Sequence, residues 1–299
     1  MTIKKILKKT VFNISSALTD MLYLRPYRDP EGRIRMHTED RILHMDLVIT
    51  ERCSRKCRDC SNLMQYYRSP EHLSSEDVIN DLKKILDCVS IHELKILGGE
   101  PFVNSSVLKD VLGYLSKEAG KRVDIINIIT NGTVIPDEDC LKAIKDDPKI
   151  MITFSNYKTE SSAQPEFIEL CKKSGIRYMV IDDSYYWLDF GRPAEYEESG
   201  DFVKRQYRNC HNRKNCNTLF RGRFYVCPRQ AHGIHLGLIP DTKDGYIDIH
   251  DPRYDDSKDL RRAISELVRR KNPVEACRYC VVGKYIHIPR AVQEKAQEH

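Results

Sequence analysis

Residues 44–60 read "HMDLVITERCSRKCRDC", and this stretch decides the fold. An apolar, β-branched run, "HMDLVIT", breaks directly into a polar loop that holds Cys53, Cys57 and Cys60 within eight residues. Three thiols are an odd number for disulfides and one short of a closed tetrahedral zinc site. The spacing C-x3-C-x2-C after a strand asks what needs three thiolates and leaves one position open.

Downstream of the loop the pattern repeats. Strands are expected at "ELKILG" (93–98), "VDIINIIT" (123–130), "KIMITFS" (149–155) and "IRYMVID" (176–182). Between them lie the helical segments "SSEDVINDLKKILDCV", with Ser74 or Ser75 as N-cap, "SSVLKDVLGYLSKEA", "DEDCLKAIKDD" and "PEFIELCKKSG". Short strands alternating with helices of this length imply an α/β fold with a parallel sheet and right-handed crossovers. Ligands in such folds bind beyond the carboxyl ends of the strands. The punctuation falls there: the cysteine loop, then "GGEP", "TNGT" and "SNY".

The chain has 299 residues, with 49 basic and 44 acidic side chains and a net charge of +5, so nothing points to nucleic acid. The eleven cysteines are an uneven count, and residues 1–16 lack the unbroken apolar core and cleavage site of a secretory signal. A reducing cytoplasmic compartment is expected, where clustered cysteines indicate metal. An apolar stripe through Ile3, Ile6, Leu7, Phe12, Ile14, Leu18, Met21 and Leu22 predicts an N-terminal helical extension. It is read as a helix packing on the barrel or a partner, in preference to one lying on a membrane. The expected organisation is the extension over 1–40, a core barrel over 41–200, a cysteine-rich domain over 201–285 and a frayed tail over 286–299.

With its other motifs, the C-x3-C-x2-C loop resembles the radical S-adenosylmethionine (SAM) superfamily over about residues 44–185. The resemblance implies a partial (β/α)6 barrel. It also implies a [4Fe–4S] cluster on Cys53, Cys57 and Cys60 whose open iron is chelated by SAM, and a 5′-deoxyadenosyl radical that removes a carbon-bound hydrogen from substrate. Gly98 and Gly99 would let backbone approach the ligand, and Glu100 would accept from the SAM amino group. Thr130, Asn131, Ser155 and Asn156 stand at the stations used for the SAM ribose and carboxylate. Asp59 departs from the bulky residue common before the third cysteine and implies a different adenine contact.

The later cysteines resemble a shortened SPASM ("twitch") module. Cys216 and Cys227 flank a hairpin turned at Gly222, and Cys277 and Cys280 form a CxxC. The resemblance implies that these four hold a second [4Fe–4S] cluster; a structural tetrathiolate zinc site is the alternative on spacing alone. Of the remaining thiols, Cys88, Cys140 and Cys171 sit in expected helices and suit buried packing. Cys210, in a basic stretch, could be a cluster ligand, a bystander or a hydrogen-atom donor to the substrate radical; the donor role is preferred, and would make the reaction an epimerisation. Dehydrogenation with the second cluster as electron acceptor is the close alternative. A sugar-type small-molecule or glycan substrate is expected, ahead of a peptide, with a flavodoxin or ferredoxin as reducing partner. A non-catalytic iron–sulfur or zinc protein is disfavoured by the intact "GGE" and "TNG" stations. Arg192, Arg221, Arg223, Arg229, His232 and His235 are candidates to bind hydroxyls or phosphates.

Overall fold

The computed structural model describes residues 27–28, 34–35, 39–155, 163–181 and 187–294. The N-terminal apolar stripe lies outside the described residues, and within 1–40 the residues at 27–28 and 34–35 pair as two short antiparallel strands.

The sheet follows the sequence expectation closely. Strands β1 (Arg41–Val48), β2 (Ser90–Leu97), β3 (Val123–Thr130), β4 (Ile150–Ser155) and β5 (Tyr178–Ile181) are parallel and lie side by side in chain order. They are joined by α1 (Ser75–Cys88), α2 (Ser105–Lys117), α3 (Glu138–Asp146) and α4 (Gln164–Ser174). Each helix start has a local reason. Ser74 accepts from the Asp77 amide to cap α1, Asp137 accepts from the Cys140 amide to cap α3, and Pro165 occupies the first turn of α4, where its missing N–H costs nothing.

Strand alternation splits the sheet into two chemistries. Met45, Leu47, Leu94, Ile96, Ile126, Ile128, Ile152 and Phe154 form one apolar face and join Leu82, Ile85, Leu108, Val111 and Phe167 from the helices in a single core. The intervening positions His44, Asp46, Glu93, Lys95, Asn127 and Thr153 form a polar opposite face. There His44 bonds Glu93, Asn127 donates to Glu93, and Thr153 donates to Asn127.

Among the described residues no further strand pairs beyond β5 in this sheet. The next strand, β6 (Trp187–Leu188), pairs instead with His287–Ile288. The sheet grows from its other edge. β7 (Thr218–Phe220) runs parallel to β1 with Thr218 opposite Asp46, then β8 (Arg223–Tyr225) and β9 (Tyr246–Asp248) continue it antiparallel. The β7–β8 hairpin turns on Arg221 and Gly222, both at positive φ (49° and 71°), the geometry a two-residue hairpin loop requires. α5 (Gly200–Asn209), α6 (His211–Asn215), α7 (Pro228–His235) and α8 (Ser257–Val268) complete the C-terminal part. Among the described residues no helix is long and apolar enough to cross a membrane.

Residues 291–294, expected to fray, run antiparallel along the cysteine loop. Arg58 N donates to Val292 O at 2.8 Å and Glu294 N donates to Lys56 O at 2.8 Å. Backbone groups that would face water find partners here, which is why the segment is ordered.

Candidate active site

Beyond the carboxyl ends of the strands lies a cavity of about 290 Å³. Cys53, Cys57 and Cys60 line it together with Gly98, Gly99, Thr130, Asn131 and Ser155, which the sequence had assigned to this place. Asn156 lies outside the described residues. Trp187, Leu188 and Phe190 complete the wall, and Asp59 also lines it, paired to Arg58 at 2.9 Å.

The glycines also serve a purpose within the protein itself. A Cβ on Gly98 would lie 2.3 Å from Thr50 O, and one on Gly99 would lie 2.3 Å from Arg52 O and 2.7 Å from Cys53 Cβ. The loops after β1 and β2 pack backbone against backbone, with Gly99 N donating to Thr50 O at 3.0 Å and Glu100 N to Arg52 O at 2.9 Å. Side chains at 98 or 99 would push the cysteine loop away.

Glu100 departs from expectation. It is fully buried and does not line the cavity. Its carboxylate accepts from Asn131 N (2.8 Å), Thr130 Oγ1 (2.8 Å) and Phe102 N (3.2 Å). Burial pushes its pKa up to about 7 against the pull of those donors. Glu100 is thus a brace that fixes the Thr130–Asn131 turn to the glycine loop, and Gln164 braces the same turn from α4 by donating to Asn131 O and Ser155 O.

Burial likewise pushes the Cys53 thiol up to about 12 and raises Cys57 and Cys60. Buried thiols of this kind give up their protons to a bound cation rather than to water. The residues fit an iron–sulfur cluster. Three thiols ring one cavity, and the nearby amides of Asn62, Leu63 and Met64 favour the Cys60 thiolate.

A second set of cysteines lines a separate pocket, and its lining differs by one residue from the expected quartet. Cys210, Cys227, Cys277 and Cys280 line it; Cys216 does not. Cys210 sits at the N-cap of α6, where the nearby Asn212 and Arg213 amides favour its thiolate, and Cys227 sits at the N-cap of α7, where the nearby Gln230 amide does the same. Helix N-termini direct both thiols to the pocket. Cys216 is drawn away by the β7 register to the neighbourhood of the buried Asp46 carboxyl and Lys95. The Cys277–Cys280 turn is held by Gln206, which donates to Cys277 O and Cys280 O, both at 2.9 Å, and accepts from Gly283 N at 2.9 Å. Among the described residues, no three His, Cys, Asp or Glu side chains converge on a single-ion site. Cys88, Cys140 and Cys171 are buried in the helical core, as expected.

Five of the six basic candidates are committed to the protein itself. Arg229 is buried and donates to Tyr279 O and Gly191 O, which puts its charge between the two cysteine groups. Arg221 and His235 bond Glu51, Arg223 pairs with Asp241, and His232 bonds Tyr67. Arg192 instead lines a polar cavity of about 720 Å³ together with Arg58, Asp59, Tyr66, Asp189, Tyr196 and Lys284. Phe190 lines all three pockets, so the polar cavity adjoins both cysteine sites.

Sequence reasoning missed Gln206, Phe190 and Gln293. Gln206 lies on an apolar-facing turn of α5, where a buried glutamine is itself a signal of a backbone to be satisfied. Gln293 donates to Cys57 Sγ at 3.2 Å from a segment whose composition suggests a loose tail.

Residues 47–182 match the family described as the Radical SAM superfamily. The radical SAM cyclopropyl synthase TigE of Paramaledivibacter caminithermalis is 26% identical over 129 residues, 38% of this chain and 27% of that protein. The GTP 3′,8-cyclase of Erythrobacter litoralis is 31% identical over 94 residues, 31% of this chain and 28% of that protein. The matched part therefore spans about a quarter of these curated relatives. Among solved structures, BtrN in complex with AdoMet and 2-DOIA covers 81% of this chain and 94% of its own, at 14% identity and a TM-score of 0.48. The cysteine loop, the glycine turn and strands β2 to β5 lie in the segment that matches the Radical SAM superfamily, a family that uses SAM and a [4Fe–4S] cluster.

Proposed function

We propose that the chain binds SAM and a [4Fe–4S] cluster in the 290 Å³ cavity and removes a carbon-bound hydrogen from a polar, sugar-type substrate held in the adjoining 720 Å³ cavity. One observation carries the first part: the three thiols of Cys53, Cys57 and Cys60 share one cavity with Gly98, Gly99, Thr130, Asn131 and Ser155. Bound there, the cluster supplies the electron that cleaves a carbon–sulfur bond of SAM and so generates the radical that abstracts hydrogen. Thr130, Asn131 and Ser155 offer hydrogen bonds to the SAM ribose and carboxylate, and Trp187 and Phe190 offer apolar faces beside them. The substrate reading rests on the lining of the larger cavity. Tyr66, Tyr196 and Phe190 supply aromatic surface, while Arg58, Arg192, Asp59 and Asp189 supply donors and acceptors for hydroxyls.

The second site is proposed to hold an auxiliary [4Fe–4S] cluster on Cys210, Cys227, Cys277 and Cys280. With Cys210 spent as a ligand, no thiol is left at that position to quench a substrate radical. The favoured outcome is therefore oxidation of a hydroxyl-bearing carbon. The first hydrogen leaves as an atom to the deoxyadenosyl radical, the second as a proton to solvent, and the remaining electron passes to the auxiliary site. Epimerisation is retained as a second reading on one observation: Cys216 is a buried thiol outside the quartet, and burial raises its pKa well above the ordinary thiol value.

Anaerobic reconstitution tests the core of this reading. About eight iron per chain and release of 5′-deoxyadenosine on reduction with SAM are expected. Unchanged release from Cys53→Ala overturns it. For the outcome, substrate-stimulated 5′-deoxyadenosine is measured with candidate glycans, nucleotide sugars and peptides. A product two mass units below the substrate is expected. A product of unchanged mass in H2O that is one unit heavier in D2O, lost in Cys216→Ala, selects epimerisation instead.

A further inference from the structure

The segment at 291–294 does more than cover the cysteine loop. Its backbone pairs with Lys56 and Arg58 on either side of Cys57, and Gln293 stands directly opposite Cys57 in that bridge. The Gln293 side chain then makes three bonds of its own. Oε1 accepts from Lys56 N at 2.9 Å, while Nε2 donates to Ala291 O at 2.7 Å and to Cys57 Sγ at 3.2 Å. Ala291, just upstream, holds a left-handed backbone (φ 50°), a conformation unfavourable for a non-glycine residue that persists where surrounding contacts over-determine it. Cys57 is 7% exposed, while Gln293 itself faces solvent. The glutamine is thus the outermost layer between that sulfur and water.

We infer that Gln293 is a positioning residue for the Cys57 thiolate, and that its amide N–H makes the cluster bound there easier to reduce. Hydrogen bonds to cluster sulfurs stabilise the more negative, reduced state and so raise the reduction potential. The amide is well suited to the task. Its oxygen is anchored on the loop, which leaves the nitrogen aimed at the sulfur without adding a charge. The neighbouring residue, Glu294, lines the polar cavity, so the same segment forms a wall of the proposed substrate site.

The inference rests on Cys57 being a cluster ligand, and the experiment separates the two. The reconstituted full chain is titrated potentiometrically, with the core signal identified by its change on adding SAM, alongside Gln293→Leu, Gln293→Glu and Cys57→Ala. The leucine keeps the sulfur covered and removes the donor. The glutamate keeps an acceptor for Lys56 N and cannot donate. Both Gln293 variants are expected to shift the core potential to more negative values, the glutamate further, with the auxiliary signal unmoved. Loss of core iron alone from both variants also supports the positioning role. Unchanged core potential in both, with full iron, overturns the inference. A core signal that survives Cys57→Ala overturns the ligand assignment beneath it.

Discussion

The guanidinium of Arg221 donates from Nε at 2.9 Å and from Nη2 at 2.8 Å to one carboxylate oxygen of Glu51, two residues before Cys53. The hairpin turn of the C-terminal part is thereby tied to the root of the cysteine loop. His235 Nε2 meets the same oxygen at 3.0 Å, and the Glu71 amide donates to the other. Burial alone would raise the Glu51 carboxyl, but the bonds from His235, the Glu71 amide and Arg221 outweigh it and hold the pKa at about 2. A folded-state pKa below the unfolded value of 4.5 stabilises the fold above pH 4.5, and that contribution is lost as pH falls towards 2. Glu51→Ala leaves Arg221 without its buried partner and is expected to cost about 3 kcal/mol in urea unfolding at pH 7. Its deficit relative to wild type should shrink below pH 4.5.

Cys210→Ala should reduce the iron of the reconstituted protein from about eight to about four per chain, while Cys216→Ala keeps it. Iron analysis after anaerobic desalting checks both. The reverse pattern would return Cys216 to the quartet.

Gln206→Ala removes the only side chain that bonds both Cys277 O and Cys280 O among the described residues. Two buried carbonyls then lack a donor, a loss of about 1–3 kcal/mol each at most. Faster loss of auxiliary iron to a chelator is expected, with unchanged SAM cleavage by the core site.

Gly99→Ala should displace the cysteine loop, because the new methyl would sit 2.3 Å from Arg52 O. Neither backbone can yield without breaking the Glu100 N to Arg52 O bond. The expected result is loss of core iron with the auxiliary four retained, read by iron analysis and by absent SAM cleavage.

Glu100→Gln tests the brace. The Glu100 pKa of about 7 lies above its unfolded value of 4.5, so the carboxyl's contribution to stability is present below pH 4.5 and is lost as pH rises through 7. The glutamine variant removes that titration. Its melting temperature should vary less with pH between 4.5 and 7 than that of wild type.

Legibility in the sequence followed the physics of each feature. The five parallel strands and their helices were readable because β-branched runs, N-caps and amphipathic spacing are local signals. The core thiols and the Thr130, Asn131 and Ser155 stations were readable because strand ends fix where such residues go. The sequence put Cys216 with Cys227, Cys277 and Cys280, whereas the second cysteine pocket is lined by Cys210 in its place. Cys216 is nearer the hairpin in sequence, but the pairing of Thr218 with Asp46 is non-local, and it turns Cys216 away while α6 delivers Cys210. Glu100 looked like a ligand contact because sequence shows a carboxylate but not the three donors that consume it. Gln293 was invisible because its partner lies 236 residues away.

The continuity of the sheet from β1 into β7, β8 and β9 sets a rule for anyone who would transplant parts of this protein. The cysteine-rich region is not a bead on a string. Its first strand is stitched to the strand that launches the core cysteine loop, so a chimaera must import β1 and the hairpin together, with Thr218 kept opposite Asp46. A swap cut at the interdomain position suggested by composition, near residue 200, would leave an unpaired edge on each donor and an aggregation-prone product.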